Sequence, residues 1–434
     1  MTRLPLHFVL AMMALISLPT IGRAADEPSD VAARDARLAA LERQVQALTE
    51  EISKLRTETA VPEDLPPEGE RGYAPAASKV FGVARGLSIG GYGELNYVNS
   101  IADSASPATA DALRLVTYIG YKFNEDITFN SEIELEHAFV EGDDDAPGEV
   151  ALEFASLDFA WKPTLNFRAG LLLTPMGFIN EVHEPPYFYG VFRPLTERQI
   201  LPATWREIGA GAFGRLGEQV EYRAYVMTGF NAEGFSASGI RDGRQEGGES
   251  LAENFAFVGR VDVTPDLLPG LDFGGSFYAG KADQNQGLPE TKLWIAEAHA
   301  QYRRGPFHSR ALFAYSDISG AGALSSALGK APNESIAQSM LGGYLELAYD
   351  VWPLLFGESN ERALEPFVRL EYLDTQHDVA AAFVEDRNLA FSVLSTGLSY
   401  YPHPNVVLKA EYRNQNARAG ERPDEIALGL GFAY

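Results

Sequence analysis

The chain ends Ile426-Ala427-Leu428-Gly429-Leu430-Gly431-Phe432-Ala433-Tyr434, large and small side chains alternating without a break. A period of two marks a β-strand with two unlike faces. A soluble sheet has no reason to expose Phe432 and Tyr434 beside a terminal carboxylate. A wall facing lipid does. Upstream, residues 127–136 alternate as sharply. Ile127, Phe129, Ile133 and Leu135 face one way, and Thr128, Asn130, Glu132, Glu134 and Glu136 the other. Sixteen such segments begin near residues 87, 112, 126, 150, 165, 205, 219, 253, 270, 291, 307, 339, 365, 389, 404 and 425. Most run about 10–12 residues, long for a soluble strand and right for one crossing a bilayer at a tilt. Alternation breaks within 150–161 and 389–401.

Connection lengths give an independent reading. Short turns such as Asn124-Glu125, Gly217-Glu218, Gly305-Pro306 and Pro402-His403 follow the even-numbered segments, and longer loops follow the odd-numbered ones. One sheet edge with turns and one with loops is the asymmetry of an outer-membrane barrel. The exception is the stretch 351–364, long where a short turn is expected. The prediction is an all-β chain, a 16-stranded antiparallel transmembrane barrel over 87–434, closed by pairing the last strand with the first. Tyr92, Tyr97, Tyr121, Trp161, Tyr302, Tyr349 and Tyr401 lie near segment ends, where aromatic girdles belong.

Composition agrees and excludes alternatives. Of 434 residues none is Cys, which removes disulfides, thiolate nucleophiles and Cys-type zinc sites. Sixty acidic against 35 basic residues, a formal charge of −25, argue against a nucleic-acid partner. With 41 Gly, 19 Tyr and 25 Phe the chain leans toward β-structure.

The N-terminus reads differently. Residues 1–24 carry Arg3, an apolar run from Leu4 to Leu18, and Gly22-Arg23-Ala24 as a cleavage site, the pattern of a secretory signal peptide. Across 31–58, Leu38, Leu41, Val45, Leu48, Ile52 and Leu55 are spaced 3-4-3-4-3. That seam predicts a short periplasmic coiled coil, with one amphipathic helix lying on its own domain as the alternative. The stretch 59–86, with Pro62, Pro66, Pro67 and Pro75, reads as a linker between two parts of the molecule.

A barrel of this size leaves room for an aqueous channel. Taking each polar face as the lumen, the inward cations are Arg114, Lys122, Arg168, Arg223, Arg260, Arg310, Arg369, Lys409 and Arg413. The inward acids are Glu94, Glu132, Glu134, Glu136, Glu221, Asp262, Asp272, Glu297, Glu346, Glu371 and Glu411. Signs are interleaved, so many are expected to be pairs within the wall, Lys409, Glu411 and Arg413 among them. The Arg residues are the better functional candidates, since a guanidinium can catch carboxylate or phosphate in passage. The connection 176–204 is too apolar and aromatic for a solvated loop and must pack on something. Folded inward it narrows the channel, with Glu181, His183, Glu184, Arg193, Glu197 and Arg198 at the constriction. The alternative is a loop capping a neighbouring subunit.

Three stretches carry a family resemblance. They are Gly90-Gly91-Tyr92-Gly93-Glu94-Leu95-Asn96, the loop Ile179-Asn180-Glu181-Val182-His183-Glu184-Pro185-Pro186 with Arg193-Pro194, and Trp205-Arg206-Glu207-Ile208-Gly209. With the order of signal, coil, linker and barrel, they resemble the phosphate-selective porin O and P family. The resemblance implies a sixteen-stranded, trimeric outer-membrane porin whose third loop folds inward. Phosphate-specific members have a lysine- and arginine-rich lumen. This chain has eight lysines and a mixed, mainly acidic wall, and no phosphate-binding residues are carried over.

Enzyme motifs fall away. Gly209-Ala210-Gly211-Ala212-Phe213-Gly214 matches a dinucleotide pattern but precedes another strand. The seven His show no metal-binding spacing, and Glu141-Gly142-Asp143-Asp144-Asp145 lacks calcium-loop order. It reads instead as a solvated outer loop bridged by divalent ions to lipopolysaccharide. No catalytic residue, metal or cofactor is expected. The predicted function is passive diffusion of small hydrophilic solutes or ions, anions such as phosphate among them, by a homotrimer in outer-membrane lipid. The alternative is a structural or adhesive barrel tethered through its coil.

Overall fold

The computed structural model describes residues 36–50, 65–66, 68–101, 106–138 and 148–434. The signal-peptide stretch, Ile52 and Leu55 of the heptad seam, and the acidic stretch 141–145 lie outside the described residues. Residues 1–56 form one compact unit and 57–434 another. In the first, helix α1 covers 36–50, and its seam residues Leu38, Leu41, Val45 and Leu48 are all exposed.

Among the described residues the second unit is a closed antiparallel barrel of sixteen strands. They are β1 Gly86–Ile101, β2 Thr109–Lys122, β3 Ile127–Glu136, β4 Val150–Lys162, β5 Leu165–Leu173, β6 Arg206–Leu216, β7 Val220–Thr228 and β8 Phe255–Val263. Then follow β9 Leu271–Lys281, β10 Lys292–Arg304, β11 Phe307–Ser319, β12 Ser339–Tyr349, β13 Ala363–Asp378, β14 Ala390–His403, β15 Val406–Ala417 and β16 Asp424–Ala433. Every strand pairs with its sequence neighbours, and β16 closes on β1 in a register running from Tyr92↔Ala433 to Ile101↔Asp424. The start read from the sequence lies within about three residues of the observed one for each strand.

Alternation is a consequence of the two solvents. Leu95, Leu115, Ile133, Leu345, Leu370, Leu394, Leu408, Ile426 and Leu428 are exposed on the outer face, where lipid would lie. Their sequence neighbours point inward and are mostly covered. The break in β4 is a β-bulge. Between Glu132 and Ile133 the register slips, and both Glu153 and Phe154 are buried. The girdle reading needs two corrections. Trp161, Tyr97, Tyr121 and Tyr349 are exposed, but Tyr92 and Tyr401 are buried on the inner face.

The long connection on the short-turn edge holds a helix. Residues Trp352–Phe356 form one turn, with Leu354, Leu355 and Phe356 exposed and Trp352 stacked on Tyr400 at 5.9 Å. So the turn is elaborated there.

The stretch read as a linker over 59–86 differs most from expectation. Helix α2, Pro75–Gly82, is inside the barrel, its residues Pro75 to Val80 buried against β1, β2 and β3. Proline at the first helical position suits a helix start. The apolar cover comes from Tyr92, Val116, Tyr118 and Phe154 on the inner faces of β1, β2 and β4. Two glycines make the seat. A Cβ on Gly90 would meet the Ala76 carbonyl oxygen at 2.6 Å, and one on Gly120 would meet Val80 Cβ at 2.6 Å.

Candidate functional site

The lumen is not an empty cylinder. Connection 176–204 lies against the inner wall and carries the short helix α3, Leu195–Gln199, against β12 and β13. Two other connections also enter. Phe230, Phe235 and Ile240 from 229–254, and Leu324, Ile336 and Ala337 from 320–338, join Met176, Ile200 and Leu201 in one buried apolar cluster. Trp205, Tyr225 and Tyr278 of the adjoining wall complete it, with Trp205 4.7 Å from Phe230 and 4.9 Å from Tyr278 between ring centres. Neither of these two connections was singled out as inward-folding from sequence. Their aromatic and aliphatic anchors were the available signal.

The six residues placed at the constriction divide into two groups. Four hold the loop. Glu197 accepts the Phe178 and Ile179 amides at 2.7 and 2.6 Å and the Tyr344 hydroxyl at 2.6 Å. Glu184, buried, accepts the Ala76 amide of α2 at 2.9 Å. Burial pushes its carboxyl up to about 8, more than the bond from the Ala76 amide draws it down. His183 lies 3.1 Å from Glu132 and 3.2 Å from the Asn180 carbonyl. Burial, and then the charge of Arg193, push its imidazole down to about 3, so it is neutral at neutral pH. Glu181 is paired with Arg223 and lies 3.7 Å from Arg260.

The other two, Arg193 and Arg198, keep solvent-accessible surface and make no ion pair among the described residues. Arg193 donates to the His183 carbonyl at 3.4 Å. The Arg198 guanidinium is lowered by loss of water around it and then by the like charges of Arg413, Arg193 and Arg114. Arg241, from a different connection, reaches the Arg198 carbonyl at 3.4 Å and adds to this positive cluster.

On the wall, the inward charges are largely spent on each other and on loop backbone. Arg114 has Glu94, Glu134 and Glu136 at 3.4, 3.2 and 3.7 Å. Arg168 makes a two-point contact with Asp158 at 2.6 and 2.9 Å. Arg223 and Arg260 lie directly opposite on β7 and β8, like charges that Asp262 bridges at 2.8 Å to each. Arg369, fully buried, meets Glu346, Glu371 and Glu411 at 3.0, 2.7 and 3.3 Å. Arg310 lies over the Phe178 ring at 4.7 Å and donates to the Tyr187 carbonyl at 3.4 Å. Of the three charges on β15, two pair across the wall, Arg413 with Glu425 and Glu411 with Arg369 at 3.3 Å, and Lys409 does not. Arg413 bonds Glu425 at 2.9 Å, Lys409 donates to the Phe188 carbonyl at 2.7 Å, and Glu411 accepts the Val191 amide at 2.7 Å.

At the short-turn end a cavity of about 470 Å³ remains. It is bordered by Arg223, Arg260, Arg303 and Arg310 from the wall, by Glu181 from the loop, and by Glu68, Arg71 and Gly72 ahead of α2. Arg303 and the residues ahead of α2 were not among the sequence candidates.

Comparison with known proteins places this architecture. No family profile matches the chain. It is 37% identical over 389 residues to an uncharacterised protein of Aquifex aeolicus (strain VF5), covering 88% of this chain and 87% of that one. The two belong to one family. Among solved structures, OmpF of Salmonella typhi, determined in complex with daunomycin, is similar at a TM-score of 0.55 with 14% identity, over 81% of this chain and 98% of that one. OmpT of Vibrio cholerae is similar at 0.50 with 9% identity, over 81% and 98%. At such identities the likeness is one of fold. The barrel has the outer-membrane porin fold. Its strands cross the membrane, and no described helix is long and apolar enough to do so.

Proposed function

We propose that this family member is a porin of the bacterial outer membrane, passing small hydrophilic solutes and ions by diffusion with no chemistry and no cofactor. Its constriction is formed by connection 176–204, where Arg193 and Arg198 are the charges that a passing ion meets. One observation carries this reading. Nearly every other named lumen charge is neutralised by a partner or buried, while Arg193 and Arg198 keep part of their residue surface exposed and have no ion pair among the described residues. A wall of closed pairs presents little net field, so an unpaired cationic cluster sets the sign at the narrow point. Anions are therefore favoured. The resemblance to the phosphate-selective porin O and P family supports phosphate among them, although a lysine-rich lumen is lacking. In this reading residues 1–24 are a signal peptide, the coil over 31–58 lies in the periplasm, and three chains associate in lipid and lipopolysaccharide.

The buried apolar cluster inside the lumen favours a second reading, a largely closed barrel with a structural or adhesive role. Purified protein in planar bilayers separates the two. The porin reading expects discrete conductance steps and a reversal potential of anion sign in a salt gradient. Arg193→Gln with Arg198→Gln should move that potential toward zero. Absence of any step would sink the porin reading, and a cation-selective potential would sink the assignment of the two arginines.

A further inference from the structure

The segment 68–83 has no role in a two-part molecule joined by a passive linker, yet the barrel wall is shaped to hold it. Its contacts come from separate elements. Tyr73 hydroxyl meets Ser156 Oγ of β4 at 2.5 Å, and the Arg168 guanidinium of β5 lies 4.1 Å from the Tyr73 ring centre. Asn130 of β3 donates to the Ala77 carbonyl at 2.9 Å. Lys122 of β2 reaches the Phe81 carbonyl at 3.4 Å. Gly90 and Gly120 supply the space that α2 fills, since a side chain at either would collide with it. A linker that only passed through an aqueous lumen would need none of these. Buried backbone groups left without water must find partners, and here the wall supplies them.

The segment also touches the loop. Glu184 accepts the Ala76 amide, and Gly72, in the left-handed region at φ +80°, is beside Glu181 and Arg223 at the edge of the short-turn cavity. Helix and loop thus meet inside the lumen, both against β1 and β3. We propose that residues 68–83 form a second constriction element, a plug seated on β1–β4 that sets the width of the channel together with connection 176–204. The inference rests on the channel reading above. Its consequence is that conductance is limited by a segment outside the barrel sequence.

The test keeps the barrel wall and the full chain. Ala76→Asp with Ala77→Asp puts two unpaired carboxylates into an apolar seat and should drive the helix out. Gly120→Leu fills the same seat from the wall and leaves the segment unchanged. Since the chain has no cysteine, Ala77→Cys reports seating directly through its rate of reaction with a membrane-impermeant thiol reagent. Expected are slow labelling in Ala77→Cys alone, fast labelling when Gly120→Leu is added, and a conductance step about twofold larger or more in both unseated variants. Fast labelling in Ala77→Cys alone would overturn the seat. An unchanged step in a variant whose introduced thiol labels fast would overturn the plug and leave the porin reading standing. Silence of the parent and of both unseated variants would overturn both. A silent parent with conducting variants would sink the porin reading for the seated chain and support the plug as a full closure.

Discussion

The two sides of the lumen hold their loops by different physics. On the β6–β12 side the inward connections 229–254 and 320–338 are packed by apolar contact, with Phe230, Phe235, Ile240 and Leu324 all at 0–1% exposure. On the β13–β15 side the loop 176–204 is held by charge. Glu411 and Glu371 accept the Val191 and Leu195 amides at 2.7 and 2.6 Å, and Arg369 donates to the Tyr189 and Phe192 carbonyls at 3.3 and 3.0 Å. Apolar packing is non-directional and fixes volume. Carboxylate-to-amide bonds fix register, because each acceptor fits one backbone position. The charged side therefore decides where Arg193 and Arg198 stand, and the apolar side decides how much lumen is left.

The largest expected effect tests the charged side. Arg369→Ala leaves Glu346, Glu371 and Glu411 buried together without a counter-charge, a loss of about 4 kcal/mol. Denaturant unfolding of the barrel in detergent should show it, with the conductance becoming noisy as the loop loses register. A stable barrel with unaltered steps would mean that the three acids hold the loop without Arg369. On the apolar side, Leu324→Ala creates a cavity worth about 3 kcal/mol. Here the expectation differs in kind: stability falls while ion selectivity is unchanged, since no register contact is lost. A shifted reversal potential in Leu324→Ala would erase the distinction between the two sides.

That distinction also explains what could be read in advance. The strands were legible because lipid and lumen alternate residue by residue, and Leu95, Leu115 and Ile133 carry that alternation in the chain itself. The inward loop was legible from excess aromatic content. Which charges remain unpaired was not. Arg193 and Arg413 look alike in sequence, and only the approach of Glu425 at 2.9 Å separates them. Helix α2 was hidden for a related reason. Ala74, Pro75, Ala76 and Ala77 read as linker, and what contradicts that lies in Gly90, Gly120 and Asn130, whose relevance appears only once the barrel closes. The GGYG stretch turns out to be spatial in meaning: Gly90 clears α2, and Gly91 clears the Tyr434 ring.

The smallest effects concern that helix, where both kinds of contact meet. Asn130→Ala removes the bond to the Ala77 carbonyl and should cost about 1 kcal/mol, seen as faster amide exchange across 74–80 with the barrel unaffected. Glu184 adds a pH dependence to the seat, even though a carboxyl can accept from the Ala76 amide in either protonation state. Its pKa is raised in the folded chain to about 8, so between the ordinary carboxylate range and pH 8 the folded form holds a proton that the unfolded form has released. Stability of the seat therefore declines as pH rises through that window and levels off above it. Glu132 faces Glu184 and adds repulsion once both ionise, Tyr118 donates to it, and neutral His183 contributes no step of its own in that window. Exchange at the α2 amides should accelerate from pH 5 to 9 beyond the intrinsic rate, and Glu184→Gln should remove the excess. If the excess survived in Glu184→Gln, the titrating group would have to be another, and the link between loop and helix would carry no charge sensitivity.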